Sequence, residues 1–304
     1  LIKRFNFFKP VILVRLYGGL GNQLFTYAAA RRLATYNKCP LYIDDQSGFF
    51  RDHVYKRKYQ LDFFEIGASK SKWGSRIGVV IAYLRFFLDG INKKPPFDRR
   101  SIIQQDILTF DARLLSLKIY KPVIFEGFWQ SELYFKDIET EIRKEFEFKP
   151  EYINCIFSEL PSINYDISIA IHVRHFKDQN HPNQGNVQDD YYVRAIQYYK
   201  QKIPNAQFYL FSDNPKSALL RFFKNDESCF LISNLLSNTN EIKELFLMSK
   251  FRYFIIANST FSWWGAWLSD QQDKIVVAPG EVINSGEGFW GFEGLIPHNW
   301  IKII

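Results

Sequence analysis

Three groups of side chains in this sequence are together suited to holding a nucleotide. Arg174 closes the apolar run 166–173, Ser212 and Asp213 close the run 206–211, and Ser259 and Thr260 follow the run 253–257. A guanidinium never loses its charge and donates two parallel hydrogen bonds to a phosphate. A lone carboxylate beside such a group commonly takes a ribose hydroxyl or a base edge. Small polar residues that open a helix leave backbone N–H groups and the positive end of its dipole pointing at whatever lies there. Together these residues describe a nucleotide pocket better than a hydrolytic one. The chain has no GxSxG elbow, no HExxH helix and no Walker phosphate loop. Asn258-Ser259-Thr260 also reads as an ordinary cap on an aromatic, core-facing helix.

Two competing chemistries are weaker. His172, His175 and His181 lie within ten residues, but their spacing fits no standard zinc pattern and no cysteine is near. The chain contains no DxD, so the carboxylate pair that many sugar-nucleotide enzymes use to hold a divalent cation is missing, and no metal is expected. Tyr17-Gly18-Gly19-Leu20-Gly21-Asn22-Gln23 gives the first two glycines of a dinucleotide fingerprint, with Asp44-Asp45 placed for a ribose. The third glycine position is Leu24, so that signal is only partial.

The elements that must position these residues follow from apolar spacing. In the first half, a strand over 11–16, the glycine turn, a helix over 24–36 and a strand over 40–43 make a βαβ unit. Helices are expected at 75–88 and 106–117, a strand at 123–125, and helical spacing over 132–147. In the second half, strands at 166–173, 206–211, 229–232, 253–257 and 274–278 alternate with helices at 191–200, 216–223, 240–249 and from 261. The reading is α/β with two facing Rossmann-like domains, residues 1–160 and 161–304, and parallel sheets. Ligands of such sheets bind at the carboxyl ends of the strands.

Composition agrees with two globular domains: 304 residues, 47% of them hydrophobic and 18% aromatic. No apolar run approaches the roughly 20 residues that span a bilayer. The first ten residues are basic and aromatic without a signal-peptide core, and the chain opens on Leu1, which reads as a trimmed start. Cys39, Cys155 and Cys229 are odd in number and far apart, which suggests neither a zinc site nor a disulfide framework but a reducing bacterial cytoplasm. Residues 1–150 hold 26 Lys and Arg against 16 Asp and Glu, whereas the rest hold 13 against 16. Such a basic half can serve nucleic acid, an anionic membrane surface or solubility alone, and the absence of an RNA motif or helix-turn-helix spacing argues against the first.

Several stretches in order resemble the bacterial α-1,2-fucosyltransferases of glycosyltransferase family 11. They are Gly18 to Phe25, Gly127-Phe128-Trp129-Gln130-Ser131, Ile171-His172-Val173-Arg174, Phe211-Ser212-Asp213, Leu247-Met248-Ser249, and the long Asn258-Ser259-Thr260-Phe261-Ser262-Trp263-Trp264-Gly265-Ala266. The resemblance implies a GT-B fold and metal-independent, inverting transfer from GDP-fucose to the 2-hydroxyl of a terminal β-galactoside, free or lipid-linked. It puts Arg174 on the donor phosphates. It puts His172 on the guanine nucleotide, Gly21 and Asn22 in the glycine loop that approaches the donor, and Asn258, Ser259, Thr260 and Phe261 in the phosphate loop. Glu244 stands where the family usually has an Asp that we associate with guanine. His175 replaces a second Arg, and the following acid, Asp178, comes one residue late. Asp178 is the candidate general base, and a solvated loop acid is its plainer reading. A different sugar nucleotide, or a non-catalytic nucleotide- or glycan-binding protein, is the alternative function.

Overall fold

The computed structural model describes residues 9–50, 52–53, 55–71, 95–157, 162–175, 185–236, 240–283 and 289–304. The chain divides into two compact units, Leu1–Glu147 and Phe148–Ile304.

The sheet of the first unit contains β1 (Ile12–Arg15), β2 (Leu41–Asp44), β3 (Ser69–Lys70), β4 (Ile102–Ile103) and β5 (Val123–Phe125), in the order β3-β2-β1-β5-β4 with every pairing parallel. The strand order reverses between β1 and β5. Helix α1 (Leu20–Asn37) follows β1, and 13 of its 18 residues are buried, so it is covered nearly all round. Ala28, Ala29 and Ala30 keep that helix slim enough to lie inside the unit. Its buried Arg32 is neutralised by Asp137 at 2.7 Å.

Several expectations in this half are corrected. Helix α1 begins at Leu20 rather than 24, so Gly21, Asn22 and Gln23 form its first turn. Gly19 supplies an extended cap, and Gly18 turns the chain with φ 77°. The expected helix at 106–117 is a single 3-10 turn, Ala112–Ser116. Its acids are spent elsewhere: Asp106 binds Arg100 and Arg113, and Asp111 binds Arg113 and caps its backbone N–H. The helical spacing over 132–147 is broken at Phe135, whose φ of −137° leaves two 3-10 turns before helix α2 (Glu139–Glu145). The helix expected at 75–88 lies outside the described residues.

The second unit opens with α3 (Pro150–Phe157). Its sheet has the order β11-β10-β9-β6-β7-β8, again all parallel. The strands are β6 (Ser168–Val173), β7 (Gln207–Ser212), β8 (Cys229–Leu231), β9 (Tyr253–Ile255), β10 (Ile275–Pro279) and β11 (Ile301–Ile303). Between them run α4 (Asp189–Lys202), α5 (Pro215–Phe222), α6 (Glu241–Met248) and α7 (Thr260–Leu268). The short edge strand β11 lies in a tail that the sequence left unassigned.

Both faces of this sheet are covered, which explains its continuous apolar strands. Ile169, Ile171, Phe208, Leu210, Ile255 and Val277 pack against Tyr191, Ala195 and Tyr199 of α4. Two phenols fasten that helix: Tyr191 donates to the carbonyls of Ile256 and Val277 at 2.7 and 3.0 Å, and Tyr199 to that of Ile275 at 2.8 Å. Helix α7 is anchored by Trp263, Trp264 and Trp267, whose rings pack on one another, and Trp263 donates to Leu295 O at 2.9 Å. It approaches α6 so closely that a Cβ on Gly265 would lie 2.3 Å from Met248 Sδ and 2.7 Å from its Cγ.

Candidate nucleotide-sugar site

The strand order of the second unit reverses at β6, which has β9 on one side and β7 on the other. That is the point where the connections leave in opposite directions and open a crevice at the carboxyl edge of the sheet. Arg174 follows β6, Asp213 follows β7 and Asn258-Ser259 follows β9. Three adjacent strands therefore deliver the cation, the carboxylate and the helix start to one edge.

Arg174 Nη1 lies 3.2 Å from Asp213 Oδ2, with the two side chains 28% and 29% exposed. The other oxygen, Asp213 Oδ1, accepts the backbone N–H of His175 at 3.0 Å, and the His175 ring nitrogen Nδ1 stands 3.7 Å away. Alternation along β6 turns Ile169, Ile171 and Val173 toward α4 and His172 toward the opposite face. There the His172 ring meets the Phe261 ring of α7, with centroids 5.4 Å apart. His172 is only 5% exposed, and its Nδ1 has no hydrogen-bond partner among the described residues. Burial, reinforced by Arg174 and His175, pushes its pKa down to about 3, so it is neutral.

The turn before α7 is a capped helix start. Ser259 Oγ accepts from Phe261 N at 3.3 Å, and Ser259 O accepts from Trp263 N at 3.0 Å. Ser262 Oγ ties the turn back by accepting from Ala257 N at 3.3 Å. Asn258 is buried and donates to Gly185 O at 2.5 Å, which joins the turn to the segment ahead of α4. Thr260 and Phe261 are half-buried, and no acid occupies the first turn of the helix. Glu244, on α6, is a carboxyl pushed up to about 7 by burial and then by the charges of Glu241 and Asp213.

The structure thus brings together Arg174, Asp213, His172 and Phe261, with Ser259, Thr260 and Asn258 on the neighbouring turn. Asp178 and His181 lie outside the described residues. Among the described residues, no group of three His, Cys, Asp or Glu side chains could hold a metal ion. The Arg174–Asp213 pair was not read from the sequence, although each partner was. Its signal is a charged residue placed just after each of two neighbouring apolar runs.

In the first unit, Gly21 and Asn22 sit in a turn buttoned by amides. Gln130 Nε2 donates to Asn22 Oδ1 at 2.9 Å. The fully buried Gln23 donates to Gly18 O and Lys58 O at 3.0 and 2.9 Å and accepts from Gln60 N at 3.0 Å. Gln105, which belongs to no motif in the sequence, accepts from Phe128 N and Trp129 N at 3.0 and 2.8 Å and fixes the turn that carries Gln130.

The model of glycosyl transferase family 11 matches residues 104–303. The chain belongs to glycosyl transferase family 11. It is 29% identical over 311 residues to an alpha-1,2-colitosyltransferase of Escherichia coli, covering 96% of this chain and 99% of that protein. It is 30% identical over 290 residues to the O-antigen biosynthesis glycosyltransferase WbnK of Escherichia coli, covering 87% and 92%. Among solved structures, the fucosyltransferase NodZ from Bradyrhizobium superposes with a TM-score of 0.50 at 16% identity, covering 86% of this chain and 93% of that one. This family member is a glycosyltransferase, and its α/β, GT-B architecture with two parallel sheets is the one expected from the sequence.

Proposed function

We propose that this glycosyltransferase moves L-fucose from GDP-fucose to the 2-hydroxyl of a terminal β-galactoside, with inversion and without a metal ion, in O-antigen or related surface-glycan synthesis. The observation that carries the reading is the arrival of Arg174 and the Ser259-capped start of α7 at one sheet edge, from adjacent strands β6 and β9. As the sugar becomes oxocarbenium-like, the departing GDP gathers negative charge. A guanidinium and backbone N–H groups aimed at that charge stabilise the transition state more than the ground state. Ser259, Thr260 and Phe261 would serve the diphosphate. Neutral His172 and Glu244 would serve the guanine, and Asp178 would take the acceptor's proton. A Glu244 that must be ionised to receive guanine N–H groups would make GDP bind more tightly as pH rises through about 7.

The relative named as a colitosyltransferase favours one second reading, a GDP-colitose donor that lacks the 3-hydroxyl of fucose. The two readings separate in one experiment: GDP-fucose and GDP-colitose offered with a panel of β-galactosides, and product linkage read by NMR. Fucose in an α-1,2 linkage supports the first reading. Transfer of colitose alone would replace it, and no GDP release from either donor would favour a binding protein.

We also propose that the first unit rests on an anionic lipid surface. The support is the excess of 26 Lys and Arg over 16 Asp and Glu in residues 1–150; a surface cavity of about 630 Å³ there is lined by Arg99, Lys118, Phe97 and the exposed Tyr120, together with Asp98 and with Arg113, which is already paired with Asp106 and Asp111. Phosphatidylglycerol vesicles should retain the protein at low salt and release it at high salt, and equal retention on neutral vesicles would contradict the contact. Among the described residues no helix is long and apolar enough to cross a membrane.

A further inference from the structure

The sequence suggests a ribose hydroxyl or a base edge for Asp213, and in the structure both its oxygens contact the segment that carries Arg174. Val173 and Ser212 are register partners in the β6–β7 pair, so Arg174 and Asp213 leave the sheet side by side. Oδ2 meets the Arg174 guanidinium at 3.2 Å, and Oδ1 accepts the His175 N–H at 3.0 Å. One carboxylate therefore holds both the side chain and the backbone beyond it. The turn that presents Asp213 is itself fixed, because Ser212 Oγ accepts from Asn214 N at 3.1 Å.

We propose that Asp213 is the counter-ion and positioning residue of Arg174, and that a donor diphosphate binds by sharing the guanidinium with this carboxylate. The proposal rests on the function above and deepens it. A long, flexible arginine held by a carboxylate keeps one orientation while the site is empty, which lowers the cost of aligning it on the donor. The same carboxylate sets a negative charge beside the place where two phosphates must arrive. It therefore weakens ground-state binding while it steers the catalytic group. That combination predicts opposite signs for binding and turnover, which neither a ribose ligand nor a merely structural residue would produce.

The test is GDP titration by calorimetry together with steady-state transfer kinetics on Asp213→Asn, Asp213→Glu and Arg174→Ala in the full chain. Asp213→Asn should bind GDP about 2- to 5-fold more tightly, since a partly exposed like charge has been removed. Its kcat should fall by about 10- to 100-fold, because the guanidinium is no longer aligned. Asp213→Glu should return GDP affinity toward wild type and recover part of kcat. Weaker GDP binding by Asp213→Asn with kcat intact at saturation would make Asp213 a ribose ligand and overturn the proposal. Unchanged affinity and unchanged kcat per folded molecule, with only a lower Tm, would overturn it as well. Arg174→Ala separates this failure from failure of the proposed function: if that variant binds GDP as wild type does, the diphosphate role of Arg174 is itself wrong.

Discussion

Each unit of the chain carries an arginine–carboxylate pair at the carboxyl ends of two neighbouring strands, and the two pairs are built differently. In the first unit, Arg15 ends β1 and Glu126 follows β5, with Nη1 at 2.8 Å from Oε2. The same guanidinium donates to Ser47 Oγ at 3.0 Å and Ser47 O at 3.2 Å, and Asp44 Oδ2 in turn accepts from Ser47 Oγ. These side chains are 21% and 10% exposed. In the second unit, Arg174 and Asp213 meet at a longer 3.2 Å and are about 30% exposed. The first pair clips three strand ends together. The second is looser and wetter, so taking up a second anionic partner costs it less desolvation. Similar placement in a parallel sheet has yielded a tight, well-buried pair in one unit and a longer, more exposed one in the other.

The largest effect should come from the second pair. Arg174→Lys should lose about 10²–10³ in kcat, since a point charge cannot reproduce two parallel hydrogen bonds, while circular dichroism and Tm stay near wild type. Near-normal turnover would erase the distinction between the pairs. Arg15→Ala should do the opposite. It should lower unfolding free energy by about 1–3 kcal/mol, because Glu126 is left buried without its partner, as denaturant titration would measure. Loss of GDP affinity without loss of stability would show that Arg15 is no mere clip. Ser259→Ala should cost about 1 kcal/mol of stability through the lost cap of α7, together with weaker GDP binding. A stability loss alone would make that turn a plain helix cap.

The smallest effect concerns pH. Glu244 is raised to about 7 in the folded protein from 4.5, so the folded state keeps a proton that the unfolded chain has released. Its stabilising contribution is complete below pH 4.5 and disappears as pH climbs through about 7. His172 acts in the other direction: held down at about 3 from 6.5, it stabilises above pH 6.5 and loses that contribution as pH falls toward 3. Thermal unfolding from pH 5 to 8 should therefore show a smaller alkaline loss of Tm in Glu244→Gln than in wild type. Parallel curves would place Glu244 in ordinary solvent.

The second unit was more legible in the sequence than the first, for physical reasons. Strands β6 and β7 are six-residue apolar runs separated by a full amphipathic helix, and Ser259 announces α7 by its own chemistry. Strands β3 and β4 are two residues each and carry no periodicity to read. The 106–117 segment had helical spacing, yet its acids found Arg100 and Arg113 instead. In the site, Arg174 and Ser259 were visible because each completes a local pattern. The Asp213 contact was not, because it depends on the register of two strands about forty residues apart, and the Arg15–Glu126 clip depends on a pairing 111 residues apart.

Calorimetric titration of GDP and guanosine into wild type and Arg174→Ala tests most directly whether this edge holds a diphosphate. Wild type should prefer GDP over guanosine by at least about tenfold, the worth of one charge-assisted contact, and Arg174→Ala should lose most of that preference while its guanosine affinity stays unchanged. An Arg174→Ala protein that keeps the full preference for GDP would show that the phosphates bind elsewhere.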